Sequence, residues 1–288
     1  MHDFDDAIPN FTALSYTWGS KKNAEFLRLS NGFQVSITAN LHDAMKHLRS
    51  AERELIFWID ALCIDQGNVH ERGHQVSLMR DIYMVAEIVL VWLGPAREGT
   101  DPDDQAMVYT DIASRTYWTR VWVIQEFVLG KKVMLQRGHV RHDWDDFYDQ
   151  FPKDVTQGAK QMRRLFDLKK RYTAQSHGLD LQEAITFALG SEATDPRDKV
   201  YGVLGLVQRN SRSYTEAVTA DYTLSPCQVY HRVYSHIMSS QAMNMPFMTT
   251  RGVYSSPALK NNCKAKRCKG QRCGSFNKLI SICSPSAS

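Results

Sequence analysis

Long apolar runs are missing. Nothing in the 288 residues approaches the roughly 18 consecutive apolar side chains of a membrane-spanning helix, and the longest candidates are Ile88 to Leu93 and Val121 to Ile124. A membrane span is therefore not expected. Cysteine is scarce over residues 1–250, where only Cys63 and Cys227 occur, so no disulfide framework is predicted and a reducing compartment is expected. Met1 to Asp6 is acidic and has no apolar core behind it, which argues against a secretory or mitochondrial leader and predicts a cytoplasmic protein. No internal repeat occurs, and no G-x-G-x-x-G follows the first apolar strand, so a Rossmann-bound redox cofactor is not signalled. What is present, 43% hydrophobic and 23% charged residues, is the balance of a folded globular chain rather than a collagen, a coiled coil or a disordered segment.

The net charge of +4 is unevenly distributed. Residues 251–288 carry eight Lys or Arg and no Asp or Glu, which leaves 27 basic against 31 acidic side chains in residues 1–250, a net of −4. That mildly acidic body argues against a surface that tracks phosphates, and no specific nucleic-acid partner is expected. The tail, with Cys263, Cys268, Cys273 and Cys283 among Lys, Ser and Asn, has too few large apolar residues to offset its ordering entropy and reads as disordered.

Phe11 to Tyr16 reads as a buried strand ended by the turn at Thr17-Trp18-Gly19. Asn31-Gly32 between two β-prone runs predicts a two-residue hairpin, and Asn40 is placed to cap a helix carrying Leu41, Ala44, Met45 and Leu48. Leu55 to Ile59 reads as a second buried strand, Glu71 to Ala86 as an amphipathic helix, and Ile88 to Leu93 as a third strand. That alternation predicts an α/β fold with a parallel sheet covered on both faces. A polar loop over Thr100 to Gln105, a helix over Trp118 to Leu129 and a short strand at Lys132 to Gln136 follow. Beyond residue 144 the reading is helical: Trp144 to Phe151, Ala159 to Tyr172, Leu181 to Leu189 and Pro196 to Leu206.

His70-Glu71-Arg72-Gly73-His74 fits the H-E-x-x-H zinc pattern, but it falls at a helix start, contains a glycine and has no third ligand signalled downstream, so no metal site is expected. The tail cysteines are spaced too widely for a typical zinc knuckle. Glu126 is more informative, because a lone carboxylate in the apolar run Arg120 to Leu129 is costly to bury. It either forms a surface ion pair, with Arg120 or Lys131, or lines a cleft; helical spacing puts it on a face with Trp122 and Trp118. Asp60 ends an apolar strand, where ligands bind in open α/β sheets, although a turn or capping role explains it equally.

Phe11-Thr-Ala-Leu-Ser-Tyr-Thr-Trp-Gly19, Phe57-Trp-Ile-Asp-Ala-Leu-Cys-Ile-Asp-Gln66 with Glu71-Arg72 and Gln75-Val76, and Tyr117-Trp-Thr-Arg-Val-Trp-Val-Ile-Gln-Glu126 together resemble the three signature blocks of the fungal heterokaryon-incompatibility (HET) domain family. Thr194-Asp-Pro-Arg-Asp-Lys-Val-Tyr-Gly-Val-Leu-Gly-Leu206 and Asp221-Tyr222 resemble segments that follow the domain in such proteins. The resemblance implies a HET domain over residues 11–140 and a helical extension over 141–250, before the basic tail of 251–288. It implies a role in non-self recognition and programmed cell death between fungal strains. Its partners would be further copies of the chain or other incompatibility and signalling proteins.

The family is thought to resemble the Toll/interleukin-1 receptor (TIR) domain, which implies a TIR-like, flavodoxin-like parallel sheet flanked by helices. In catalytic TIR domains a helix supplies a Glu for NAD cleavage, and Glu126 is the matching catalytic candidate. Ser15, Tyr16, Trp18, Gly19, Asp60 and Trp122 are the candidate substrate-binding residues: the tryptophans as stacking surfaces, Gly19 for close backbone approach. NAD would be a substrate, with no cofactor and no metal called for. The alternative that the resemblance leaves open is a non-catalytic TIR-like module that signals by self-association, with Glu126 structural.

Overall fold

A computed structural model describes residues 9–20, 24–151, 159–175, 178–208 and 219–243. Alternating apolar residues in Thr12–Tyr16 (β1) and Ile88–Trp92 (β5) serve two opposite core faces at once. Leu14, Tyr16, Leu90 and Trp92 meet Leu41, Ala44 and Leu48 of α1 (Ala39–Leu48) on one face. Ala13, Val89 and Val91 meet the larger cluster on the other.

The sheet runs β4-β1-β5-β6-β7, where β4 is Phe57–Trp58, β6 is Val133–Arg137 and β7 is Val140–Asp143. β1 pairs in parallel with β4 and β5, β5 pairs in parallel with β6, and β7 returns antiparallel to β6. The chain leaves β1 through an antiparallel hairpin, β2 (Ala24–Arg28) and β3 (Gln34–Thr38), then α1, and enters β4 on one side of β1. After the short α2 (Asp60–Cys63), the helix α3 (Val69–Val85) carries it back across β1 to β5 on the other side. The connections thus reverse direction at β1, and such a reversal opens a crevice at the strands' carboxyl ends.

From β5, α4 (Gln105–Ala113), a 3-10 turn (Thr116–Thr119) and α5 (Val123–Leu129) lead to β6; α6 (Trp144–Gln150), α7 (Ala159–Ala174), α8 (Leu181–Leu189), α9 (Asp198–Tyr201) and α10 (Pro226–Met243) follow β7. All seven residues of α5 are buried, since α7 covers the side that the sheet does not, with Phe127 and Phe166 stacked at 5.1 Å. One apolar cluster runs unbroken from Ala13 and Val91 through Phe166, Ile185 and Val200 to Ile237.

The expected strands of the parallel sheet are present, with corrections. Leu55 to Ile59 is strand only at Phe57–Trp58, because β4 is an edge that meets β1 over two residues; Leu55 and Ile56 are exposed. The hairpin closes through a turn from Leu29 to Phe33 instead of two residues, with Gly32 at φ +85°. Thr38, not Asn40, caps α1, its hydroxyl accepting the Leu41 N–H at 3.3 Å. The single helix expected over Trp118 to Leu129 is broken, because Val121 donates its N–H to the Glu192 carbonyl (2.9 Å) and Glu192 donates its own to Thr119. Pro196 to Leu206 is likewise two short pieces, α9 and a 3-10 turn at Leu204–Leu206. Four elements, α2, α4, β7 and α10, have no counterpart in the sequence reading. The basic tail with its four cysteines lies outside the described residues; among the described residues no helix is long and apolar enough to cross a membrane.

Candidate functional site

Strand β1 ends in Tyr16, and the next residues turn away over the sheet edge with Gly19 in the left-handed region, φ +73°. Asn40 holds that turn from the first helix: its amide donates to the Thr17 carbonyl (2.5 Å) and hydroxyl (3.1 Å), and its oxygen accepts the Trp92 indole N–H (3.1 Å). Asp60 follows β4, one strand over. Its Oδ2 accepts the Trp18 indole N–H at 2.8 Å, its Oδ1 accepts the Ala61 N–H at 2.7 Å, and the Tyr16 hydroxyl donates to it as well. Burial pushes the Asp60 carboxyl up, against the pull of these donors and of Arg120.

These strand ends open on a cleft of about 820 Å³, the predicted crevice beside β1. Trp18, Gly19 and Asp60 line it from the sheet, Arg72, Val76 and Met79 from α3, Arg120 and Trp122 from the segment leading into α5, Glu126 from α5 itself, and Glu192, Asp195, Asp198 and Tyr222 from the far wall.

Glu126 is 4% exposed, so the surface ion pair considered from sequence is not formed. Its Oε2 accepts the Ser15 hydroxyl, and Tyr117 lies 2.7 Å from the same Ser15 oxygen. With its single hydrogen spent on Glu126, Ser15 accepts from Tyr117, which gives a buried relay Tyr117 to Ser15 to Glu126. Burial raises the Glu126 carboxyl to about 7; Arg120 opposes the rise, the negative charge of Asp60 adds to it, and the Ser15 bond opposes it again. Arg120 is anchored by donating to the Tyr16 carbonyl. The cleft therefore holds a carboxylate poised to exchange a proton near neutrality, a guanidinium, and two indoles.

Of the sequence candidates, Trp18, Gly19, Asp60, Trp122 and Glu126 converge on this cleft. Ser15 sits behind Glu126 as its donor, and Tyr16 is buried with its hydroxyl on Asp60; neither lines the cleft. Trp118 turns into the core, its indole N–H on the Ile112 carbonyl at 2.7 Å. His70 and His74 are exposed in the first turns of α3, and among the described residues no group of three or more His, Cys, Asp or Glu could hold a metal ion. Gly73 between them is buried against the Ala220 carbonyl oxygen, which a Cβ there would meet at 3.0 Å.

Sequence reasoning missed Arg72, Arg120, Asp198 and Tyr222 as cleft residues. Arg72 stacks on the Tyr222 ring at 3.9 Å, and Asp198 accepts from the Tyr222 hydroxyl (2.7 Å) and from the Trp122 indole (3.1 Å). The available signal was that these residues fall within or beside the quoted blocks; nothing in their spacing brings the far wall to β1.

Residues 11–110 match the family described as heterokaryon incompatibility protein (HET). Heterokaryon incompatibility protein 6, OR allele, of Neurospora crassa is 37% identical over 100 residues, which are 31% of this chain and 15% of that protein. No solved structure matches the chain. The matched span supplies Trp18, Gly19, Asp60 and Arg72 to the cleft, and the residues after it supply Arg120, Trp122, Glu126 and the far wall. Over residues 11–110 the chain is thus similar to the heterokaryon incompatibility family, and it spans 15% of the length of the Neurospora crassa relative it matches.

Proposed function

We propose that the chain acts in fungal non-self recognition and cell death by hydrolysing the nicotinamide–ribose bond of NAD in this cleft. The observation that carries the reading is Glu126: a buried carboxylate, held by Ser15, facing the same cleft as Trp18, Asp60, Arg120 and Trp122 at a sheet's switch point. The strand order β4-β1-β5-β6-β7, in chain order of the sheet strands 2-1-3-4-5, supports a flavodoxin-like and TIR-like sheet whose last strand is reversed. Loss of nicotinamide leaves oxocarbenium character on the ribose C1′, and a carboxylate beside that carbon stabilises the charge and holds a ribose hydroxyl. Trp18 and Trp122 stack on the bases, and Arg120 and Arg72 meet the pyrophosphate.

The test is NAD consumption by the full chain, free and forcibly self-associated, beside its Glu126→Gln form. The parent is expected to consume NAD and the variant to lose at least ~10²-fold in rate. Equal rates would remove Glu126 from the mechanism. No cleavage by the parent in any assembly state would leave the second reading, a non-catalytic self-association module, which draws on the exposed Phe26 and Phe33 of the hairpin.

A further inference from the structure

The reading above assigns no task to the segment Thr194–Lys199, which follows the matched domain. Most of its charged side chains are spent on the backbone around it. Arg197 is clamped to Asp195 through Nε (2.9 and 3.1 Å) and Nη2 (2.6 Å), and its Nη1 donates to the Tyr222 and Leu224 carbonyls, both at 2.7 Å. Lys199 donates to carbonyls at the end of α8, Leu189 at 3.2 Å among them.

Asp198 is the exception. Its partners are two cleft-lining aromatics, the Tyr222 hydroxyl on Oδ1 and the Trp122 indole on Oδ2, and among the described residues it makes no ion pair. Trp122 also accepts the Glu126 N–H on its carbonyl at 3.4 Å, so this one residue links the stretch of chain that carries Glu126 to the Asp198 carboxylate on the far wall.

We propose that Asp198 is a second catalytic residue of this cleft, the general base that takes the proton of the attacking water. The assignment rests on the NAD-hydrolysis reading and extends it to the region after the family domain. The C1′–N bond breaks with its electron pair passing to the nicotinamide ring nitrogen, which becomes neutral. The water oxygen bonds to C1′, and its proton goes to the Asp198 carboxylate and then to solvent. Burial raises this carboxyl to about 6; the Tyr222 hydrogen bond opposes the rise, Asp195 adds to it, and the Trp122 bond and the Arg72 charge oppose it again. At neutral pH it is therefore mostly ionised, as a base must be.

The experiment compares the full-length parent with Asp198→Asn, Tyr222→Phe and Glu126→Gln, measuring NAD turnover across pH, with and without azide, beside thermal melting. Asp198→Asn is expected to lose ~10²- to 10⁴-fold in hydrolysis. Azide attacks without giving up a proton, so it should restore NAD consumption in that variant and yield ADP-ribosyl azide, but restore nothing in Glu126→Gln. The acid limb of kcat/KM reports both Glu126, at about 7, and Asp198, at about 6; Tyr222→Phe raises the second and should steepen the limb and carry it upward, a change that a purely structural carboxylate does not produce. An active parent whose Asp198→Asn form keeps full hydrolysis, or whose loss azide does not repair, overturns the assignment and leaves the NAD reading standing. A parent inactive on NAD in every assembly state overturns the reading and the assignment with it.

Discussion

Substituting Glu126 by Gln preserves the shape of the side chain and an oxygen for the Ser15 hydroxyl, but removes a proton equilibrium from the interior. In the unfolded chain the carboxyl titrates near 4.5; in the cleft, burial carries it up to about 7 despite the nearby Arg120. Between those values the folded protein holds a proton that the unfolded chain has released, so stability falls as the pH rises from 4.5 through 7. At about 1.36 kcal/mol per pH unit, the difference amounts to about 3 kcal/mol against folding once both states are ionised. The amide variant escapes that cost.

Melted side by side, the two proteins should converge towards pH 5, and at pH 8.5 the variant should unfold at a temperature about 6–12 °C higher, taking about 2–4 °C per kcal/mol for a chain of this size. Asp198 titrates in both proteins and drops out of the comparison. Calorimetry at the two pH values is the assay. A variant less stable than the parent at pH 8.5, or a difference that ignores pH, would mean that Glu126 is solvated and that the cleft does not raise its pKa. A gain in stability coupled to a loss of activity is what a carboxylate kept for chemistry rather than for packing should give.

Lys169 is buried with its ammonium on the Val128 (3.3 Å) and Gly130 (2.5 Å) carbonyls at the end of α5, so Lys169→Met should cost about 1–3 kcal/mol in urea unfolding. Burial lowers that amine from 10.5 to about 8, while the unfolded chain keeps its proton up to 10.5; the parent should therefore gain stability as the pH rises between these values, and the variant should not. Asp111 is buried beside Arg115 (2.6 Å) and Arg137 (3.2 Å), and Asp111→Asn, which leaves both guanidinium groups without their carboxylate, should lower stability by about 3–5 kcal/mol in the same assay. Asn40→Ala frees the turn after β1, and should speed hydrogen exchange at the Trp18 and Gly19 amides with a global loss of about 1–2 kcal/mol.

The sheet was legible where one residue pattern served one physical demand. Ala13 to Tyr16, Ser15 apart, and Ile88 to Trp92 are apolar because both faces of a central parallel strand are buried. The failures lie where a long-range backbone contact decides. Trp118 to Leu129 has helical periodicity, yet Glu192 captures the Val121 amide and breaks the helix, and a partner more than 70 positions away leaves no local trace. Leu55 and Ile56 look buried, but an edge strand that pairs over two residues has no sheet to bury them.

The same distinction separates the parts of the site. Glu126 could be singled out because a carboxylate inside an apolar helix violates the local pattern, and such a violation is visible from sequence. Asp198 violates nothing: in Asp-Pro-Arg-Asp-Lys a carboxylate is an ordinary surface residue, and only the arrangement of Arg197 on the Tyr222 and Leu224 carbonyls turns it inward. Arg120 was legible as a charge but not as a cleft residue, because its direction is fixed by the carbonyl of Tyr16, on a strand 104 positions earlier. The near wall of the cleft is built from strand ends, whose place follows from the sheet. The far wall is built from loops and the short α9, held by the Arg197–Asp195 ion pair and by carbonyl contacts, and its place follows only from the folded whole. A site divided in this way couples its chemistry to the docking of the far wall, so weakening the Arg197 clamp should disable the cleft without touching either the sheet or Glu126.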